Sequence, residues 1–86
     1  MTVTFVSNEH TTAESMKVAV PNATKFKNTT RVCFKRGMCE IPRIGESIEI
    51  NNRRYRIVDV IHELAKDDCY TEHKACYAYL EVRGYE

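Results

Sequence analysis

Several features that mark particular classes of protein are scarce in this chain or missing from it. The 86 residues include no Trp, three Gly and two Pro, and the formal net charge is only +1. Three glycines are too few for the glycine-rich loops that cradle phosphate groups, and no turn of the oxyanion-hole type accompanies a nucleophile. We therefore expect a protein that is not an enzyme.

Long apolar runs are missing as well. No stretch approaches the ~20 apolar residues that span a bilayer, and residues 1–6 lack the basic and apolar regions of a signal peptide. We therefore expect no membrane partner and a cytoplasmic location. A length of 86 residues leaves room for a single domain, 1–86, with a small core. The hydrophobic fraction of 43% is that of an ordinary globular protein, so this domain should fold.

The strongest local pattern, over residues 41–64, predicts a β-hairpin. An entry turn at Pro42 and Gly45 leads into an alternating strand over residues 46–50. The pair Asn51-Asn52 follows directly. Because Asn enters the left-handed backbone region at low cost, this pair predicts a two-residue hairpin turn.

The return strand of this hairpin changes phase part-way along. Tyr55 and Ile57 share one parity, whereas Val58, Val60 and His62 take the other. A change of phase inside one strand is what a β-bulge or a sharp bend produces. A strand bent in this way can serve two sheets of a small barrel.

Three further segments alternate apolar and polar residues and predict strands: residues 1–6, 31–36 and 74–83. The fold class should therefore be mainly β, either a small barrel or a strongly bent antiparallel sheet of about five strands. The predicted core residues are Ile48, Ile50, Ile57, Val60, Leu80 and Val82.

Residues 12–20 allow two interpretations. Thr11 and Glu14 match a capping box with apolar residues at helical spacing behind it, which predicts a short helix that ends at Pro21. The alternative is a strand, because residues 16–20 also alternate strictly. We favour the helix.

Cysteine and histidine residues raise the question of a metal site. The closest sets of ligands are Cys69, His73 and Cys76, completed by His62 or by Cys33 and Cys39. Structural zinc sites typically use two cysteines with two to four residues between them, because one tight turn must aim both sulfurs at the metal. No pair of cysteines in this chain has that spacing. The acidic residues Glu63, Asp67 and Asp68 lack the spacing of a calcium loop. We therefore expect reduced thiols and no metal or other cofactor.

Charge is distributed unevenly along the chain. Residues 17–56 contain ten basic and three acidic side chains, whereas residues 57–86 contain three basic and seven acidic ones. This asymmetry predicts a bipolar surface. Such a surface can dock an anionic ligand, or can pair with a partner of complementary charge or with a second copy of the chain.

Basic residues of the middle segment are the predicted binding site. Two of them project from one face of a predicted strand and two from one face of another, and if these faces adjoin they form a patch that can bind phosphates, with tyrosines to stack on a base. The alternative is a solvated basic face that keeps the strand edges soluble. The predicted site comprises Arg31, Lys35, Arg43, Arg53, Arg54, Arg56, Tyr55, Tyr77 and Tyr79.

The hairpin also carries a resemblance. Pro42-Arg43-Ile44-Gly45-Glu46, then an alternating strand, a short turn and Tyr55-x-Ile57-x-x-Val60-x-His62, resembles a pattern found in small uncharacterised proteins of bacteriophages and prophages. In outline the hairpin is also similar to that of SH3-like barrels such as KOW modules, although the KOW glycine after the second strand is absent. The resemblance covers about a quarter of the chain.

This resemblance implies a non-enzymatic protein in the host-cell cytoplasm. Its partner would be a host protein, inhibited by contact, or the nucleotide signal of a host defence system, which the protein would sequester. The alternative is a nucleic-acid-binding SH3-like barrel.

Overall fold

A computed structural model describes residues 1–65 and 72–83 of the chain. These residues form six β-strands and one α-helix. In chain order, the elements are β1 (Thr2–Ser7), α1 (His10–Ala19), β2 (Thr24–Lys25), β3 (Val32–Gly37), β4 (Ser47–Ile50), β5 (Arg53–Ala65) and β6 (Glu72–Val82). The prediction of a mainly β fold with one short helix is confirmed.

All six strands belong to one curled sheet that has the form of half a barrel, in the order β2-β3-β1-β6-β5-β4. Its N-terminal half consists of β1, β2 and β3, and its C-terminal half consists of β4, β5 and β6. Neighbouring strands are antiparallel within each half, whereas β1 and β6, which join the halves, are parallel. The sequence predicted neither the two-residue β2, which is too short to alternate, nor this parallel junction.

The predicted hairpin is formed by β4 and β5. Asn51 and Asn52 both have positive φ, 48° and 67°, which confirms the two-residue turn. Gly45 in the entry turn has φ 94°, a conformation that L side chains rarely adopt. The register of β5 against β6 shifts between Ile57 and Asp59, which is the bulge that the change of phase predicts.

The core lies between the sheet and α1, on the face that we call the helix side. Val3, Phe5 and Phe34 from the N-terminal half are buried there with Ile57 and Leu80 from the C-terminal half. The Phe5 and Phe34 rings stack at 5.4 Å between centroids. Of the predicted core residues, Ile57 and Leu80 are buried, and four are half-buried against this cluster: Ile48, Ile50, Val60 and Val82.

The helix of residues 10–19 exists, but its start differs from the prediction. Its N-cap is Glu9, whose side chain makes no capping bond, so the predicted capping box does not form. Thr12 is buried and its hydroxyl accepts the backbone N–H of Val82 at 3.1 Å. At the other end, the Asn51 side-chain amide donates to the carbonyl of Ala19. Within the described ranges, no helix is long and apolar enough to cross a membrane.

Candidate anion-binding groove

The strand order divides the predicted basic site into two groups. Lys35 of β3 and Arg56 of β5 both lie on the face of the sheet opposite α1, the helix-free side. However, β1 and β6 separate β3 from β5. Three strand spacings of about 4.8 Å place the two groups roughly 14 Å apart, so the predicted faces do not adjoin.

Acidic side chains accompany the group in the C-terminal half. Arg56 forms an ion pair with Glu81 at 3.7 Å, and Arg54 lies directly opposite Glu49 in the register of β4 and β5. Arg53 lies on the helix side, where its guanidinium donates to Ser15 Oγ at 3.4 Å. These pairs leave this end of the sheet with little excess positive charge.

Arg43 precedes β4 and has an exposed side chain. Its backbone N–H donates to Glu46 Oε1 at 2.6 Å, which closes the entry turn. The turn therefore places an acidic side chain next to this predicted basic residue as well.

Tyr55 has to be removed from the predicted site. Its side chain is fully buried in the core, and its hydroxyl is hydrogen-bonded to Ser15 Oγ at 2.9 Å. A ring with no exposed surface cannot stack on a base. The sequence contained the signal, because Tyr55 has the parity of the predicted core residue Ile57. Tyr55 was nevertheless assigned to the site, since an aromatic residue suits either face of a strand.

Tyr77 and Tyr79 lie on the helix-free side, as half-buried residues of β6. The ring of Phe26, from the loop after β2, packs edge-on against both, with centroids 5.5 and 6.3 Å away. Lys27 Nζ lies 5.1 Å from the Tyr77 ring and the Arg31 guanidinium 5.4 Å from the Tyr79 ring. The structure thus brings Arg31, Tyr77 and Tyr79 together, with cations already over the rings.

A second feature of the N-terminal half is a stretch without acidic residues. Between Glu14 and Glu40 there are six basic side chains and no Asp or Glu. We call these six the basic edge, because most of them lie on or beside β2 and β3, at the outer end of the sheet order. They are Lys17, Lys25, Lys27, Arg31, Lys35 and Arg36.

An open groove of about 610 Å³ lies at the basic edge, between α1 and the β2–β3 hairpin. One wall comes from the helix and carries Lys17 and the carboxylate of Glu14, which is 3.1 Å from His10 Nε2. The other wall carries Lys25 and the loop residues 28–31. Small apolar side chains complete the lining: Ala13, Ala23 and Val32.

Local hydrogen bonds shape the loop that forms one wall of the groove. The backbone N–H of Phe26 donates to the carbonyl of Arg31 at 2.9 Å, and Lys27 takes a positive φ of 49°. The Thr29 hydroxyl donates to the Phe26 carbonyl at 2.6 Å and accepts the N–H of Arg31 at 3.1 Å. The loop is thus a tight, internally bonded hairpin turn, which holds the neighbouring Asn28 and Thr30 at the groove.

The chemistry of the groove favours an anion. Lys17 and Lys25 are exposed, and their ammonium groups make no hydrogen bond or ion pair with any residue in ranges 1–65 and 72–83. Both can therefore donate charge-assisted hydrogen bonds to phosphate oxygens. Asn28 and Thr30 add neutral donors and acceptors.

Sequence reasoning missed the lysines of the groove, although it noted that the basic segment begins at Lys17. It placed Lys17 in the predicted helix and took most of the site from predicted strands, with Arg43 of the entry turn as the exception. The signal that could have found them is the gap of acidic residues from Glu14 to Glu40. A long run without counter-charges locates excess charge better than a count of basic residues does.

Two ionisable groups among residues 1–65 and 72–83 have shifted pKa values. Partial burial raises the pKa of Glu63, but the charges of Lys74 and Lys27 and their hydrogen bonds outweigh it, so the pKa lies below the ordinary value of 4.5. Both ammonium groups are 3.5 Å from the carboxylate. Burial raises the pKa of the Cys76 thiol, which keeps it protonated and inert.

The described residues hold no cluster of three or more metal-ligating side chains. Cys33, Cys39 and Cys76 are free thiols. The remaining cysteine of the candidate zinc set, Cys69, and the acidic pair Asp67 and Asp68 lie outside the described residues.

Comparison with known proteins finds no match to this chain among family models, curated proteins or solved structures. The groove therefore has to be interpreted from its own chemistry.

Proposed function

We propose that the protein is a non-enzymatic binding protein that holds a small anionic ligand of the nucleotide class in the groove at the basic edge. One observation carries the proposal: an open groove of about 610 Å³ is flanked by Lys17 and Lys25, whose ammonium groups form no ion pair within the described residues, while Glu14 in the same lining is 3.1 Å from His10 Nε2. Pockets for small ligands are typically about 300–1,000 Å³ in volume. A mononucleotide or dinucleotide fits that range.

The parts of such a ligand match the parts of the groove. Phosphate oxygens would accept from Lys17 and Lys25, which lie on opposite walls. Asn28 and Thr30 offer hydrogen bonds to ribose or to the edge of a base. The apolar lining suits the face of a base.

The biological setting follows from the resemblance to small phage proteins. A protein of this kind would lower the free concentration of a nucleotide signal made by a host defence system. Binding alone suffices for that role, provided that the protein is as abundant as the signal.

Isothermal titration calorimetry with a panel of mononucleotides, cyclic dinucleotides and inorganic phosphate tests the proposal. We expect at least one nucleotide to bind, with a shallow dependence on salt because few phosphates are contacted. Replacing Lys17 and Lys25 together by Ala should weaken binding about tenfold or more, since a hydrogen bond to a charged group contributes about 1.5–3 kcal/mol.

Lys35→Ala is the matched control, because Lys35 belongs to the basic edge but does not line the groove. Its affinity should equal that of the wild type. Failure of every nucleotide to bind, or equal affinity of the double Ala variant, would overturn the proposal.

A nucleic-acid ligand is the second candidate. The observation that favours it is the continuation of the basic edge past the end of β2, where Lys35 and Arg36 of β3 are exposed. A single-stranded nucleic acid lying along these residues would show an affinity that falls steeply with salt, by a slope of about 0.7 per phosphate. In that case Lys35→Ala would weaken binding as much as the groove variants do. A protein inhibitor of a host protein would bind neither ligand.

A further inference from the structure

Two histidines meet across the β5–β6 hairpin, away from the groove. β6 pairs with β1 only from Tyr77 onward, so the part of the hairpin that carries His62 and His73 extends beyond the N-terminal half of the sheet. His62 Nδ1 lies 3.0 Å from His73 Nε2, and both side chains are exposed. Their ring centroids are 5.2 Å apart, with the rings inclined at 51°.

We propose that His62 and His73 form a two-histidine site for a divalent transition metal ion of the zinc and nickel class. Imidazole nitrogen binds zinc at about 2.0–2.1 Å, so two nitrogens on one tetrahedral ion lie roughly 3.3 Å apart. The observed separation of 3.0 Å is a few tenths of an ångström from this value. Small rotations of two exposed side chains supply the difference.

Metal binding at this site requires a shift of one proton within a ring but no release of a proton. In the hydrogen bond, one neutral ring donates an N–H to the bare nitrogen of the other. When a metal ion enters, the shared proton moves to the far nitrogen of the same ring, and both facing nitrogens become ligands. Two neutral imidazoles thus bind the ion without net loss of a proton.

The charges around the pair allow a cation to approach. Lys74 is next to His73 in sequence, but its ammonium lies 3.5 Å from the Glu63 carboxylate, which offsets its charge. Glu63 is also held by Lys27, so we do not count it as a ligand. Two positions of a tetrahedral ion stay open to water. This site is therefore weaker than a closed four-ligand zinc site.

Both histidines belong to the candidate zinc set named from the sequence, but the spacing rules do not single out this pair. They ask for ligands that one tight turn brings together, and His62 and His73 are brought together by the register of two long strands. The thiol spacings that argue against a zinc-cysteine site do not bear on it.

The inference is tested by titrating the chelator-treated full chain with ZnCl₂ and NiCl₂. Calorimetry and the imidazole resonances in NMR spectra monitor the titration. We expect two of the three histidines to shift on addition of metal. Since loss of an outer-shell partner already costs about 10–100-fold in metal affinity, His62→Ala or His73→Ala should weaken binding at least about tenfold. Circular dichroism verifies that each variant folds.

His10→Ala is the control, because His10 lies on α1 beside Glu14 and is the one histidine of the chain outside the proposed pair. It should bind metal as the wild type does. Metal affinity that is unchanged in both hairpin variants would move the site to the cysteines and overturn the proposal. So would the absence of any binding to the wild type. Neither result affects the groove, whose test contains no metal.

Discussion

The two halves of the sheet use similar numbers of basic residues in different ways. In the C-terminal half, Arg54 and Arg56 lie opposite Glu49 and Glu81 on neighbouring strands. In the N-terminal half, the stretch from residue 15 to residue 39 contains no acidic side chain at all. The comparison teaches that a basic residue is available to an anion only where the strand next to it supplies no carboxylate.

The largest expected effect concerns the junction of the two halves. Leu80 of β6 is fully buried and lies opposite Ser7 of β1 on one side and Ile57 of β5 on the other. Leu80→Ala should lower the free energy of unfolding by about 2–5 kcal/mol, because it leaves a cavity between the halves. Urea unfolding measures this loss.

Hydrogen exchange of the β3 and β5 amides in the Leu80→Ala variant tests whether the two halves of the sheet unfold together. If residues 1–86 are one domain, as predicted, both strands should lose protection together in the Leu80→Ala variant. Retained protection in β3 with β5 open would show instead that the halves are separate folding units.

Charge reversal should lower stability in the C-terminal half and leave it almost unchanged in the N-terminal half. Arg54→Glu with Arg56→Glu places carboxylates opposite Glu49 and Glu81, and should lower the free energy of unfolding by about 1 kcal/mol. Lys35→Glu in the basic edge should stay within about ±0.5 kcal/mol of the wild type, as exposed substitutions usually do. Thermal unfolding of the two variants checks this contrast.

The affinity for the groove ligand tests the same difference between the two halves. The double Glu variant should bind the groove ligand as the wild type does, since β1 and β6 separate β5 from the basic edge. This expectation replaces the one drawn from sequence, in which Arg54 and Arg56 carry the binding. A clear loss of affinity in this variant would return the site to the C-terminal half.

The smallest expected effect belongs to the contact between the halves at Glu63. Lys27 of the N-terminal half and Lys74 of the C-terminal half both lie 3.5 Å from its carboxylate. Because the folded-state pKa of Glu63 lies below the ordinary 4.5, ionisation stabilises the fold above that pH, and this stabilisation is lost as the pH falls through the folded-state pKa.

Glu63→Gln should therefore be slightly less stable than the wild type at neutral pH. The difference should vanish at a pH well below 4.5, where the wild-type carboxylate is protonated too. Urea unfolding of both proteins over this range measures it. A difference that persists in acid would mean that Glu63 acts by packing rather than by charge.

Local chemistry made part of the fold predictable. The Asn51-Asn52 turn, the bulge before Asp59 and the alternation of β6 all depend on residues that are close in sequence. The start of α1 was predicted wrongly, because the helix begins at His10 with Glu9 as its N-cap, so the predicted cap Thr11 lies inside the helix. The neighbouring Thr12 hydroxyl accepts from Val82, seventy residues away. Patterns within the chain report local preferences, and a tertiary contact can override them.

The candidate site was less predictable than the fold. Parity placed Arg54 and Arg56 on one face correctly, but it carried no information on strand order. The parallel pairing of β1 with β6 set the two basic groups apart, and parity does not report this long-range contact. The hydrogen bond between Tyr55 and Ser15 of α1 also joins residues that are far apart in sequence.

The parallel pairing of β1 with β6 also affects how the chain folds while it is being synthesised. Strand β1 (Thr2–Ser7) is synthesised before β6 (Glu72–Val82), the strand with which it pairs in parallel, and some sixty residues lie between them. Synthesis proceeds at about 5–20 residues per second. For several seconds the nascent N-terminal half has an inner strand with an open hydrogen-bonding edge, which other nascent chains can pair with. High expression rates should therefore favour misassembly at β1 more than at either outer strand.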